Sequence, residues 1–241
     1  MDGWSPEAIA GWLKAGNEAL NYINHESIYR YIYSKAGQAM KLYCYLFQRK
    51  KRRRALKART SKDRIPNRTS IHDRPQEIED KLTIGDWEAD YMIFKNRQPL
   101  LVLHERKSRL VLAVKLFGRS AAETIAAMIA KFKTLGKARA KSVTFDNNTG
   151  FALHHLLTQR LDIKTFFCDA YASWQKGGVE NSNGRIRRWL PKRTNLAKVT
   201  EQEIDDIIMT MNLTPRRCLG FKTPLQVMMQ SANKHLKLKF A

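Results

Sequence analysis

The sequence is short of cysteine, of acidic residues and of long apolar runs, and each shortage argues against a class of protein. Its three cysteines, Cys44, Cys168 and Cys218, are widely spaced, odd in number and form no C-x-x-C pair with a nearby histidine pair. That pattern argues against a disulfide scaffold and a zinc finger, and for reduced, mostly buried thiols in a cytoplasmic protein. No apolar run of about 18 residues and no signal-peptide pattern occurs, which argues against a membrane span or export. Asp and Glu number 22 against 44 Lys and Arg, a formal net charge of +22. So large an excess favours a polyanionic partner, and nucleic acid is the expected one. Hydrophobic residues make up 43% of the chain and include five Trp, more than a generically basic, ribosomal-type protein would carry. At 241 residues the chain has room for one core of about 150 residues and a smaller module.

Read in order, SPEAIAGWLKAG predicts a short helix with Ser5 as N-cap and Pro6 at its first position. HESIYRYIYS, His25 to Ser34, predicts a second helix with Ile28, Tyr31 and Ile32 on its inner face. Two short helices in succession suggest a helix-turn-helix over 1–45, whose second helix would enter a DNA groove with Glu26, Ser27 and Arg30 as candidate contacts. The tract RKKRRRALKAR, Arg49 to Arg59, places eight basic residues in eleven positions and opens a polar linker over 46–82. Arg52, Arg53 and Arg54 at its centre are expected to track a DNA backbone.

A second domain is expected over 83–213, followed by a tail over 214–241. GDWEADYMIF, PLLVLHE and RLVLAVKLF predict an antiparallel meander of three strands. Alternation sets Asp90 on the face opposite Trp87, Ala89 and Tyr91. Glu88 is also expected on the other face from Asp90, and Asp169 in a loop, so neither is a first choice for the site. Ser120 and Glu123 form a capping box for a helix ended by Gly136, KSVTFD predicts a fourth strand, and a helix over about 150–160 leads to a fifth, DIKTFFC. The pair Gly177-Gly178 permits close approach of backbone to a ligand, and Glu180 opens a helix carrying Arg185, Arg187, Arg188 and Trp189. Thr200 and Glu203 cap one more helix.

Three strands, helix, strand, helix, strand, helix is the order of the ribonuclease H-like fold, an α/β mixed five-stranded sheet with helices. It brings Asp90, Asp146 and Glu180 to one sheet edge. Two divalent ions roughly 3.5 to 4 Å apart can serve both the entering and the leaving oxygen of a phosphodiester displacement. Mg²⁺ prefers carboxylate oxygens, so Asp90 would bridge two ions and Asp146 and Glu180 would each complete one. Each residue also has a plainer reading: Asp146 could start a turn, Asp90 could be an exposed strand residue, and Glu180 could favour a helix dipole. His104, His154 and His155 have no spacing that makes a ligand set.

The segments GDWEAD, VLHERKSR, TFDNNTGF, YASWQKGGVENSNGRIRRWLPK and PRRCLGFKTP resemble, in order and spacing, the insertion-sequence-30 family of bacterial transposases. SPEAIAGWL, INHESIYRYIY and RIPNRTSI resemble the same family, so the likeness covers nearly the whole chain. The family's last catalytic Asp and its Glu have 33 residues between them, as Asp146 and Glu180 do here, and Asp90 matches the first Asp. The resemblance implies a Mg²⁺-dependent enzyme, with Mn²⁺ as a substitute, that nicks double-stranded DNA at terminal inverted repeats and uses the exposed 3′-hydroxyl to attack target DNA. It implies a homodimer or higher oligomer on DNA, and a bacterial, nucleoid-associated location. Trp174, Gln175 and Lys176 match the family's W-Q-[RK] and would shape the DNA-facing side, with Asn181, Arg185 and Arg188 as further substrate contacts. The chain departs from the family where Asn148 stands in place of a glycine after Asp146-Asn147, and where Ala170 to Trp174 replaces a proline-rich stretch. Family members generally carry a further helix-turn-helix segment before the point corresponding to Trp4, so part of the N-terminal DNA-binding region is expected to be lacking. The alternative reading is a truncated, non-catalytic DNA-binding regulator or inhibitor of transposition.

Overall fold

The computed structural model describes residues 4–15, 23–40, 42–46, 65–170 and 172–237. Helix α1 runs Pro6–Lys14, with the Ser5 side chain accepting from Ala8 N at 3.2 Å, as the sequence leads one to expect. Helix α2, His25–Ile32, is capped by Asn24, and a short α3, Lys35–Ala39, follows. In α2 the inner stripe is Ile28, Tyr29 and Ile32, whereas Tyr31 is 54% exposed. Positions i, i+1 and i+4 share a helix face, and Tyr31 lies outside that stripe. The Tyr29 hydroxyl instead donates to Glu7 Oε1 at 2.9 Å, and burial, aided by Glu7, pushes its pKa up to about 12. The basic tract with Arg52, Arg53 and Arg54 lies outside the described residues.

After a short helix α4, Gln76–Glu79, come β1 (Asp86–Ile93), β2 (Pro99–Glu105), β3 (Val111–Lys115), α5 (Ala121–Leu135), β4 (Ser142–Phe145), α6 (His155–Leu161), β5 (Lys164–Phe167), α7 (Gly177–Trp189), α8 (Glu201–Leu213) and α9 (Pro224–Lys237). The sheet order is β3-β2-β1-β4-β5, with β1–β2 and β2–β3 antiparallel and β1–β4 and β4–β5 parallel. This is the expected ribonuclease H-like arrangement. Ser70 forms an isolated parallel bridge to Phe167, extending the β5 edge with the chain that precedes the core.

The two sheet faces are covered differently. Met92, Leu100, Val102 and Val111 pack with Val179 and Ile186 of α7 and Ile204 and Ile208 of α8. On the other face Trp87 meets Phe132 of α5 at a ring separation of 5.6 Å, and the Tyr91 hydroxyl lies 2.6 Å from Thr124 Oγ1. Even-numbered residues of β1 therefore look toward α7. Glu88 and Asp90 share that face, contrary to expectation, because side chains two apart in a strand point the same way.

Caps read from the sequence form, with one shift. Ser120 Oγ accepts from Glu123 N at 3.2 Å, but Glu123 reaches past Ser120 to the amides of Phe117 and Gly118. Gly136 ends α5 with φ of 80°, where a glycine is favoured. In place of one helix over 150–160, a 3₁₀ turn at Thr149–Phe151 precedes α6, since Asn148 Oδ1 captures Gly150 N at 3.0 Å. Gly150 sits under Tyr91: an added Cβ would lie 2.3 Å from its hydroxyl.

The chain divides into two compact units, Met1–Thr60 with Leu213–Gln230, and Ser61–Asn212 with Ser231–Ala241. In the first, Gly11 of α1 allows the ring of Phe221 to approach; an added Cβ would stand 2.0 Å from it. Residues just past α8 thus pack on the N-terminal helices. Of the cysteines expected to be buried, Cys168 is; Cys44 and Cys218 are exposed.

Candidate active site

Two aspartates converge at the centre of the second unit. Asp90 comes from the middle of β1 and Asp146 from the residue after β4, the parallel neighbour of β1. Between them stands the ammonium of Lys176, 4% exposed, with Nζ 3.4 Å from Asp90 Oδ1, 3.6 Å from Asp146 Oδ2 and 3.2 Å from the carbonyl oxygen of Ala89. Burial pushes the Asp146 carboxyl above its ordinary value, Lys176 pulls it down and Asp90 pushes it up again. Asp90 also accepts from Asn183 Nδ2 at 2.9 Å and from the amide of Tyr91.

Helix α7 is docked by contacts at its start. Glu88 Oε2 accepts from Val179 N at 2.8 Å, meeting an otherwise uncapped amide, and Glu88 Oε1 accepts from Arg106 Nη1 at 2.7 Å. An added Cβ on Gly178 would stand 2.6 Å from His104 and 2.8 Å from Glu88. The close approach that this glycine allows is thus to β1 and β2, while Gly177 has nothing within 4 Å. Ser182 Oγ and His104 Nδ1 are 2.9 Å apart, and Arg187 lies over Phe94 at 4.2 Å and donates to Ile93 O.

Glu180 occupies the first turn of α7 on its exposed side, while contacts with Lys176 bring Asp90 and Asp146 together. Among the described residues no group of three or more His, Cys, Asp or Glu is placed to hold a metal ion. Two features nevertheless fit one. The Asp90 and Asp146 carboxylates already share a cation, for which the Lys176 ammonium stands in. Beside them Asn183 Oδ1 is buried and meets no donor among the described residues, an uncommitted oxygen of the kind hard divalent ions and their waters use.

The other predicted contacts differ in exposure. Trp174 is 76% exposed, Gln175 is half-buried, and Lys176 is turned inward rather than toward solvent. Asn181 is exposed and accepts from Arg185 Nε at 3.1 Å, while Arg188 is half-buried and its pKa is lowered by burial. Ser27 and Arg30 are exposed on α2, in the other unit.

A cleft of about 330 Å³ opens next to Asp146, lined by Arg68, Ser70, Asn147, Cys168 and Asp169 among others. Arg68 donates to Asn147 Oδ1, and Asn147 Nδ2 to Cys168 O at 2.9 Å. Asp169 is held below the usual carboxylate range by Gln175 Nε2 at 2.8 Å and by His72 Nε2 at 2.9 Å. Asn183 and Arg68 escape sequence reasoning. Asn183 lies three residues beyond Glu180, a helical neighbour spacing that could have signalled it; Arg68 has no such mark.

No family model matches the chain. It is 35% identical over 234 residues to the transposase for insertion sequence element IS1086 of Cupriavidus metallidurans, covering 94% of this chain and 69% of that protein. It is 36% identical over 239 residues to the transposase for element IS4351 of Bacteroides fragilis, covering 97% and 71%. With transposase InsI for element IS30A of Escherichia coli the identity is 34%, over 93% of this chain and 61% of that protein. In fold the chain is similar to a chain of the simian T-cell lymphotropic virus intasome, solved in complex with PP2A regulatory subunit B56 gamma. The TM-score is 0.51 at 22% identity, covering 61% of this chain and 54% of that one. Identities at this level, sustained over more than two thirds of two curated transposases, place the chain in the insertion-sequence-30 family of transposases.

Proposed function

We propose that the protein cuts DNA strands at transposon ends and joins them by 3′-hydroxyl attack, using Asp90, Asp146 and Glu180 with Mg²⁺ or Mn²⁺. The observation that carries this reading is the convergence of the Asp90 and Asp146 carboxylates, from adjacent parallel strands, on one shared cation. Divalent ions bound there would supply charge stabilisation for the entering and leaving oxygens of a phosphodiester. Asp90 is oriented by Asn183 and its own strand, Asp146 by the Asn147-Asn148 turn, and Glu180 approaches from the exposed side of α7. Using one carboxylate set for hydrolysis and for strand transfer needs no covalent protein intermediate, and no Ser, Cys or Tyr nucleophile is assigned.

The DNA strand beside the scissile phosphate would follow the cleft at Arg68 and Asn147, with exposed Trp174 against the sugar or base and Arg185 and Arg188 on phosphates. Ser27 and Arg30 on α2 would read duplex DNA, and Arg52, Arg53 and Arg54 would add backbone charge. Pairing two ends calls for a dimer or larger assembly on DNA. The domain limits assigned from sequence are part of the same proposal, with Leu213–Gln230 counted with the N-terminal helices.

The test is nicking of a duplex bearing the inverted repeats that flank the protein's own gene, with Mg²⁺ or with a chelator, by wild type and Glu180→Gln. Nicking by wild type alone, and only with metal, is the expected result; equal nicking by Glu180→Gln refutes the assignment. That the described residues hold no group of three or more His, Cys, Asp or Glu placed for a metal ion favours a second reading, a non-catalytic regulator. Tight binding of the same duplex without nicking by wild type would establish it.

A further inference from the structure

We propose that Lys176 is a tethered counter-ion: its ammonium holds Asp90 and Asp146 together when no divalent ion is bound, and leaves them when one binds, becoming free to meet a DNA phosphate. The inference deepens the proposed function and rests on its assignment of the two aspartates as metal ligands.

An ammonium has three N–H donors, and Lys176 has three oxygens in reach: Ala89 O, Asp90 Oδ1 and Asp146 Oδ2. A divalent ion on those carboxylates would compete for the same oxygens and place two more positive charges beside a buried one. Both cannot remain. The two carboxylate contacts, 3.4 and 3.6 Å, are longer than the 2.7–2.9 Å of a tight ammonium–carboxylate hydrogen bond, so the ammonium is displaceable. Its flexible four-carbon stem lets the head leave without moving α7, whose position is fixed separately by Glu88 and Gly178. Lys176 follows directly on exposed Trp174 and half-buried Gln175, so its way out leads to the side on which DNA is expected. Lys176 is thereby a positioning residue, and metal loading and DNA affinity become coupled through it.

The measurement is Mn²⁺ binding by electron paramagnetic resonance on the full chain, without DNA and without turnover, for wild type, Lys176→Met and Lys176→Arg. Removing the competing cation should tighten Mn²⁺ binding in Lys176→Met on the order of tenfold, about the effect of one charge-assisted hydrogen bond, while Lys176→Arg stays near wild type. Adding Mn²⁺ should raise wild-type affinity for duplex DNA and raise that of Lys176→Met by less. Should Lys176→Met fail to fold in chelator, Lys176→Gln refolded with Mn²⁺ takes its place. Unchanged or weaker Mn²⁺ binding in Lys176→Met, or in Lys176→Gln where it takes its place, with wild type binding normally, overturns the inference. Wild type that binds no Mn²⁺ refutes the metal-dependent function itself.

Discussion

Replacing Glu88 by Gln should destabilise the second unit severely while leaving every proposed metal ligand in place. The Glu88 and Arg106 side chains are each 3% exposed, and the two Glu88 oxygens accept from Arg106 Nη1 and from the amide of Val179. A glutamine keeps the shape but removes the charge and turns an NH₂ group toward one of those two donors. Breaking a buried pair on one side costs about 3–5 kcal/mol, because the remaining charge loses its compensation. Arg106 retains Ile78 O at 3.2 Å and the half-exposed Glu79 carboxylate at 3.4 Å, which puts the loss near the lower end, at about 3 kcal/mol. Against a usual total of 5–15 kcal/mol this is a large fraction. Urea unfolding followed by tryptophan fluorescence should place the midpoint lower by about 1.5 M, for a slope near 2 kcal/mol per M. A loss below about 1 kcal/mol would refute the view that Glu88 clamps α7. Lost Mn²⁺ binding at unchanged metal-free stability would instead make Glu88 a ligand.

Two glycines of α7 should respond in opposite directions. Gly178→Ala, with its Cβ 2.6 Å from His104, should cost about 1–3 kcal/mol, whereas Gly184→Ala, with nothing within 4 Å, should gain about 0.5–1 kcal/mol, both measured by urea unfolding. Arg68→Ala should lower the slope of log DNA affinity against log salt by about one, and neutralising Arg52, Arg53 and Arg54 together by up to about three; unchanged slopes would remove these residues from the interface. Gln175 and His72 depress the Asp169 pKa, so the stability it contributes is present above the ordinary carboxylate value near 4 and is lost as pH falls through the depressed one. The melting temperature of Asp169→Asn should accordingly fall less than that of wild type on acidification below about pH 4, and parallel curves would refute the linkage.

What the sequence discloses is what depends on neighbours in the chain. Alternation in GDWEADYMIF, the caps at Ser5 and Thr200 and the stop at Gly136 are local signals, and the strands and helices they specify are present. Topology follows from element order. The inward turn of Lys176 and the use of Glu88 as a helix clamp are not local: Glu88 and Val179 are 91 residues apart, and only the packed structure joins them. Spacing between Asp146 and Glu180 is legible, but the side on which Glu180 emerges depends on how α7 is rotated against the sheet. That rotation is set by Val179, Ser182 and Ile186, all buried, and by the lack of a side chain at Gly178.

Placing Glu88 and Asp90 two residues apart on one strand couples the stability of the core to the geometry of the site. Glu88 fixes the first turn of α7, and Asp90 receives from that same helix Lys176 at its cap and Asn183 about two turns further on. A slip of β1 by one residue would turn both carboxylates to the α5 face and bring Trp87 and Ala89 under α7, so pairing register alone separates a working arrangement from none. The hydrophobic difference between the two faces holds that register. Trp87 is fully buried against Phe132, a contact that the α7 face, already filled by Val179 and Ile186, has no room to replace. Packing of β1 and placement of Asp90 therefore depend on the same alternation, which is why the face of Asp90 can be read from the sequence even though its cation partner cannot.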